Sequence, residues 1–445
     1  MLLLAFACTA PTTPAQDDPP VAEDAEVVDS ASYDSGSLDS AEPLHRPPIL
    51  MISIDTLRVD RLGYYGGSSA PFLDSVVEQS LHLADHRSCS NWTYASVVCA
   101  MAATNPVDRD FVPVATETRE PEPLPDDWTI FGDLLRDRGY STRMFSTNAF
   151  FSERWQNTHY DEVVLLDDVG AEETVAQGLA AIDEVADGDE PWMVHLHFMD
   201  PHTAYEPPGR YFDLSDLEDV PFEVTKAAGL DQMQAAWDDL DEPTQSNALR
   251  TIYRVYNGEV LYLDDQLELL WDQLDQRGLL DELVVVFWSD HGEQFMEHGD
   301  VTHGKGLHRE ETLALAAFWG ADLPQQRVEL PTTHADIVPT LFELLDWEQH
   351  ESFGGQPALE VSETRPRFAF NIEDVDSYQS VDVAGRRMIY RWDGWFGIYD
   401  LQDDPAEDVP LGAEQADARL LWELLAPEVE RMADLVGGSP VPPQL

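Results

Sequence analysis

Apolar and polar positions along the chain follow two rhythms. Strand-length segments rich in buried types occur at Ile49–Ile54, Ser141–Phe145, Trp192–Phe198 and Leu283–Phe287. Such short, nearly unbroken apolar runs predict strands covered on both faces. Between them the spacing becomes helical. Helices are predicted from Pro71 to Ser80, from Thr129 to near Gly139, over Thr174–Val185, over 246–277 and over 335–346. The longest carries Leu263, Leu267, Leu270 and Leu274 on one stripe, and Gly278 ends it. Strands alternating with helices predict an α/β fold, with a mostly parallel central sheet sandwiched by helices.

The last part of the chain changes rhythm. RRMIYRWDGWFGIYDL alternates apolar and polar residues around a turn, which predicts an antiparallel hairpin. A helix near 414–434 follows. The expected organisation is a main domain over 46–360 and a small antiparallel α+β subdomain over 361–445.

Sites in parallel sheets gather at the carboxyl ends of the strands. Asp55, the pair Asp290-His291, and His202 each lie just past such an end. Carboxylate and imidazole together suit Zn or Mn, whereas all-oxygen ligation suits Ca or Mg. Their shared placement predicts one divalent metal ion, with Zn or Mn favoured and Ca as the alternative.

Charge narrows the partners. Across 445 residues, 86 acids face 25 bases, a formal charge of −61. A field of that sign repels DNA, RNA and anionic lipid, so no nucleic-acid partner is expected. The acids are spread along the whole chain, as on a solvated acidic surface. Only two lysines occur, Lys226 and Lys305. The start, MLLLAFACTAPTTPAQ, is similar to a bacterial lipoprotein signal whose Cys8 becomes a lipidated membrane tether, or to a shortened secretory leader. Both predict export, to the bacterial periplasm or cell surface. Residues 16–45 are acidic and poor in apolar groups, and read as a flexible tether. Cys89 and Cys99 either pair in an oxidising compartment or stay as buried thiols.

Seven segments in order carry a family resemblance. They are ISIDTLRVDRLGYYG with APFLD, NWTYAS, HFMDPHTAYEPP, YNGEVLYLDDQL, VVVFWSDHGEQFMEHG, ADIVPTLFELL and GIYDLQDDPAED. Over about residues 48–410 the chain resembles the sulfatase family of the alkaline phosphatase superfamily. The resemblance implies that Asp55, Asp290 and His291 ligate the metal. Thr56 stands where the family often has a second Asp. It implies that His202, within DPH, and His298 are catalytic, one of them protonating the leaving group, and that His303 and Lys305 bind the substrate's anionic oxygens. For the histidines at 298 and 303 the structural alternative is an ordinary surface loop.

The nucleophile position departs from the family. Sulfatases carry Cys or Ser in a C/S-x-P-S-R signature, oxidised to formylglycine. Here the segment is Thr93-Tyr94-Ala95-Ser96-Val97, and Thr cannot become the aldehyde. Thr93 is therefore expected both to act as nucleophile and to ligate the metal, activated by the cation and by the start of a helix over Ala95–Ala103. Its structural alternative is a plain helix N-cap. The resemblance implies a metal-dependent hydrolase of sulfuric or phosphoric esters on small molecules, glycans or lipids. The alternatives are a phospho-group transferase acting on lipid or glycan head groups, and a non-catalytic binding protein on the same fold.

Overall fold

The computed structural model describes residues 45–445, apart from 116–119, 153–157, 168, 372–376, 413 and 415. The leader with Cys8, and all but the last residue of the 16–45 segment, lie outside the described residues.

The main sheet uses eight strands: β1 (Ile49–Ile54), β2 (Leu81–Leu83), β3 (Ser141–Ser146), β4 (Glu162–Leu165), β5 (Trp192–Phe198), β6 (Val284–Ser289), β7 (Ala316–Trp319) and β8 (Gln326–Val328). Their order is β8-β2-β7-β6-β1-β5-β3-β4. Only β7 runs against its neighbours. The mostly parallel sheet expected from the alternation is thus present, with β1 between β5 and β6.

Every residue of β1 is buried because the two faces of the strand enter different cores. Leu50, Ile52 and Ile54 join α4 (Ala171–Val185), α6 (Glu242–Gln276) and α1 (Pro71–Val77) on one side. Ile49 and Met51 join α2 (Thr93–Met101), α3 (Phe131–Asp137) and α7 (Ile337–Leu344) on the other. A short helix, α5 (Ala227–Ala236), precedes α6.

Helix α6 has 35 residues, or roughly 50 Å at 1.5 Å per residue. Asp241 caps it by accepting from the Thr244 N–H, and Gly278, at φ +69°, closes it. Its predicted leucine stripe is fully buried. Each such leucine contributes about 1.5–3 kcal/mol by leaving water. From the same helix, the Tyr256 hydroxyl donates to the Thr56 carbonyl and accepts from the Arg58 N–H. It thereby fixes the turn that follows β1.

The predicted hairpin is the end of a separate antiparallel sheet, β9 (Arg367–Asn371), β10 (Tyr378–Val383), β11 (Arg386–Arg391) and β12 (Phe396–Asp400), in that order. Ala384 and Gly385 alone join β10 to β11, both at positive φ, the type I′ geometry that matches strand twist. Helix α8 (Ala416–Val436) covers this sheet. The core beneath it also takes Ala95 and Cys99 from α2, and Cys99 is disulfide-bonded to Cys89. The C-terminal sheet therefore buttresses the helix that begins with Thr93. Among the described residues, no helix is long and apolar enough to cross a membrane.

Candidate active site

Four adjacent strands, β6, β1, β5 and β3, deliver their carboxyl-terminal residues to one place. Asp55 follows β1 directly and Asp290 follows β6 directly. Ligand atoms of Asp55, Asp290 and His291 all lie within 4.8 Å of one another, and the three residues are completely buried.

The hydrogen bonds of these three residues leave a specific remainder. Asp290 Oδ1 accepts from the N–H groups of Thr56 and His291, at 3.1 and 2.7 Å. His291 Nδ1–H donates to the Gly292 carbonyl at 3.0 Å, so Nε2 keeps its lone pair. Asp55 Oδ2 accepts from Asn148 Nδ2 at 2.9 Å and from the Thr93 hydroxyl at 3.4 Å, with His197 Nε2 at 3.3 Å. What is left is Asp55 Oδ1, Asp290 Oδ2 and His291 Nε2, all buried and without a hydrogen-bond partner. They face one another, with His291 Nε2 3.8 Å from Asp55 Oδ1 and 3.5 Å from Asp290 Oδ2. Orphaned buried polar atoms are costly, and two oxygens and one imidazole nitrogen converging this way fit a divalent cation.

Electrostatics agree with the geometry. Burial works against the charge on Asp55, but the facing imidazoles of His202, His197 and His291 hold it well below the usual carboxylate range. Burial, and then the charge of Asp55, push Asp290 well above that range. The two carboxylates thus oppose each other's charge across the gap, an opposition that a cation between them would relieve. Burial and His303 keep His291 neutral, the form that ligates.

Thr93 is the first residue of α2, and the cap position belongs to Trp92, which makes no side-chain cap. The N-cap alternative is therefore not the role the hydroxyl takes. It points to Asp55 instead, with Asn148 Nδ2 3.5 Å away, at the partly positive end of the helix. His202 Nδ1–H donates to the Thr203 carbonyl, which leaves Nε2 available, and its ring centroid lies 5.1 Å from that of His303. The His303 ring is in turn 4.5 Å from that of His291. Burial opposes a charge on His303, but Glu293, 2.8 Å from its Nδ1, raises it to about 9.

Two expected members are not brought to this cluster. His298 Nε2 lies 3.0 Å from Glu310, and its ring stacks on His308 at 3.6 Å. Lys305 extends its ammonium to Asp231 and Gln234 at α5. Neither side chain has a hydrogen bond or ion pair to the cluster among the described residues. The acids Asp60 and Asp264 hold structure: Asp60 pairs with Arg58 and Arg61, and Asp264 caps α1 through the N–H groups of Phe72 and Leu73.

Sequence reasoning missed Asn148, His197 and Glu293. Asn148 was accessible, because it follows the end of β3 just as Asp55 follows β1. The signal for His197 was HLHF, which places His195 and His197 on one face of a strand with no exposed side. Glu293 was within sight, since it closes SDHGE three residues after Asp290 and pairs with His303 ten residues on, whereas its other partner, Tyr205, is distant in sequence.

Comparison with known proteins places this arrangement. A model of the sulfatase family matches residues 47–347. A sulfatase from Formosa agariphila is 26% identical over 237 residues, covering 49% of this chain and 45% of the relative. The choline-sulfatase of Rhizobium meliloti is 28% identical over 164 residues, 35% of this chain and 31% of the relative. The chain thus spans less than half the length of these curated relatives. Among solved structures, a protein in complex with its substrate D-glucosamine-2-N,6-O-disulfate superposes with a TM-score of 0.71 at 15% identity, covering 87% of this chain and 98% of that one. The phosphonate monoester hydrolase of Agrobacterium radiobacter superposes at 0.63 with 18% identity, covering 88% and 96%. These structural likenesses speak for the fold, and the family model covers well over half of the chain. The chain belongs to the sulfatase family of the alkaline phosphatase superfamily.

Proposed function

We propose that this protein is a metal-dependent hydrolase of sulfuric or phosphoric esters that uses Thr93, rather than formylglycine, as its nucleophile. The observation that carries the reading is the convergence of three orphaned atoms, Asp55 Oδ1, Asp290 Oδ2 and His291 Nε2, beside a Thr hydroxyl held on the same Asp55. Asp55, Asp290 and His291 would hold the cation, with the Thr93 hydroxyl beside them as a further ligand, and Zn or Mn is favoured by the mixed oxygen and nitrogen donors. When bound, it supplies positive charge for the ester's non-bridging oxygens and lowers the pKa of the Thr93 hydroxyl.

The protein groups divide the remaining work. Asn148 and Asp55 orient the Thr93 hydroxyl for in-line attack, and the α2 N-terminus favours the developing negative charge. His303, cationic at neutral pH through Glu293, faces the anionic oxygens in place of Lys305. His202, when doubly protonated, gives its Nε2 proton to the leaving oxygen in place of His298, and the neutral Nε2 then takes a proton from the attacking water. Water then releases the group from Thr93. A sulfated glucosamine is the substrate of one structural neighbour, and the esters of other members differ, so the leaving group stays open to sugars and small alcohols.

The test is a side-by-side assay of an aryl sulfate, an aryl phosphate monoester and an aryl phosphodiester with metal-loaded protein. Turnover of at least one ester, lost in Thr93→Ala and Asp290→Ala, is expected. No turnover of any ester, or a fully active Thr93→Ala, overturns the proposal.

A further inference from the structure

Behind Asp55 lies a polar chain that runs inward instead of toward solvent. Ser53 and His197 are register partners on β1 and β5, and His195 lies two residues earlier on the same face. His197 Nε2 is 3.3 Å from Asp55 Oδ2, and His197 Nδ1 is 2.8 Å from Ser53 Oγ. Ser53 Oγ is also 2.7 Å from His195 Nε2, and His195 Nδ1 is 3.3 Å from the Tyr160 hydroxyl. Ser53, His195 and His197 are 0% exposed. A buried strand face normally carries aliphatic groups, and two imidazoles there need a reason.

The proton inventory gives the chain a direction. A carboxylate only accepts, so His197 must donate from Nε2. In the tautomer that donates from Nε2, Nδ1 accepts, and the Ser53 hydroxyl donates to it. Ser53 oxygen then accepts from His195 Nε2–H, and His195 Nδ1 accepts from the Tyr160 O–H. Burial keeps His195 neutral, as this arrangement needs. All four hydrogen bonds therefore point one way, from Tyr160 to Asp55. Among the described residues, the Tyr160 hydroxyl otherwise meets only the sulfur atoms of Met51 and Met101. Sulfur is a poor proton donor and acceptor, so the chain orients Asp55 rather than relaying protons.

We infer that Tyr160, His195, Ser53 and His197 form a one-way hydrogen-bond chain that locks the Asp55 carboxylate with Oδ1 turned to the cation, making His197 and Ser53 positioning residues for metal binding. The inference rests on the cation reading of Asp55, Asp290 and His291. It assigns metal affinity in part to side chains that touch no metal. Outer partners of this kind fix a ligand's rotamer before the ion arrives, which lowers the entropy lost on binding.

The experiment is a chelator-competition titration of Zn and Mn on the full chain, read as affinity, with circular dichroism to verify folding. His197→Phe is expected to weaken binding about 10- to 100-fold, and Ser53→Ala about 3- to 10-fold. His197→Gln, whose amide replaces the Nε2 donor, should stay within about 3-fold of the parent, and Tyr160→Phe, at the far end, should change affinity least. Should His197→Phe fail to fold, Ser53→Ala and His197→Gln carry the test. Parental affinity in folded His197→Phe, or in Ser53→Ala where the former does not fold, overturns the inference. Failure of the underlying cation reading looks different: the parent binds no metal, or Asp290→Ala binds as the parent does.

Discussion

Carboxylates are buried in two very different ways at the two ends of this molecule's polar interior. On β10, Asp382 accepts two hydrogen bonds from Arg367, lies 2.8 Å from Arg87 Nε, and also meets Arg387. Nearby, Glu407 meets Arg87, His308 and Arg387 and accepts from the Arg309 N–H. Neither acid has an orphaned oxygen. At the carboxyl ends of β1 and β6, in contrast, Asp55 and Asp290 each keep one oxygen with no partner at all. In the first cluster both acids are fully paired, mainly with arginine, and clamp the C-terminal sheet in place; its unbonded atoms are the nitrogens Arg87 Nε, Arg387 Nε and His308 Nδ1, each beside one of those acids. The second is complete only when a cation enters. A third solution sits between them: Glu259 on α6, buried beside Asp200, is raised to about 8 by burial and by that neighbour, and so keeps its proton at neutral pH. Buried acids by themselves therefore say little about function, whereas unpartnered atoms that converge say a good deal.

Substitutions can break this contrast at either end. The largest effect is expected from Thr93→Ala, which removes the proposed nucleophile but none of the three orphaned atoms. Ester turnover should fall by roughly 10⁴-fold or more, with bound metal retained. Asp290→Ala removes one of the three. Metal analysis should find the ion gone, and turnover should fall by about 10³-fold or more, since a bound cation contributes several kcal/mol at the transition state. Thermal unfolding of that variant without added metal should come earlier than that of the metal-free parent, because the buried Thr56 and His291 N–H groups lose the Asp290 oxygen that accepts from them.

The closed cluster should behave in the opposite way. Asp382→Ala leaves Arg87, Arg367 and Arg387 without their shared acid, and should lower stability in denaturant titration by about 3–5 kcal/mol. Any folded fraction should still bind metal. The smallest effect belongs to the protonated pair. The folded pKa of Glu259 is raised above its unfolded value, so the folded state binds the extra proton between pH 4.5 and about 8. Stability is lost as pH rises through that window. Glu259→Gln keeps the oxygen that accepts from the Glu206 N–H and cannot ionise. Its melting temperature should match the parent near pH 5 and exceed it near pH 9, with the difference growing as pH rises through that window.

The fold was readable from sequence because its largest signals are long. Unbroken apolar strands, the leucine stripe of α6 and the RRMIYRWDGWFGIYDL hairpin each determine their own element. Boundaries moved by a few residues, and one shift mattered: β6 ends at Ser289 and not at Phe287, so Asp290 leaves the strand directly. Asp55, Asp290 and His291 were readable because strand-end placement is a property of topology. The failures were at the ends of flexible side chains. Lys305 lies in the expected loop, yet its ammonium reaches an acid on α5, and no spacing rule encodes that choice. His298 likewise stays with Glu310 and His308. Asn148 and His197 carried local signals, a strand end and the HLHF alternation, but their partner became visible only once the order β6-β1-β5-β3 set them against Asp55.

The most direct measurement is the metal content of the purified full chain after saturation with Zn or Mn and removal of loosely held ions, parent against Asp290→Ala and Asp382→Ala. The account predicts a stoichiometric ion in the parent, none in Asp290→Ala, and an undiminished ion in whatever Asp382→Ala remains folded. A parent that retains no divalent ion, or an Asp290→Ala that retains as much as the parent, would contradict it.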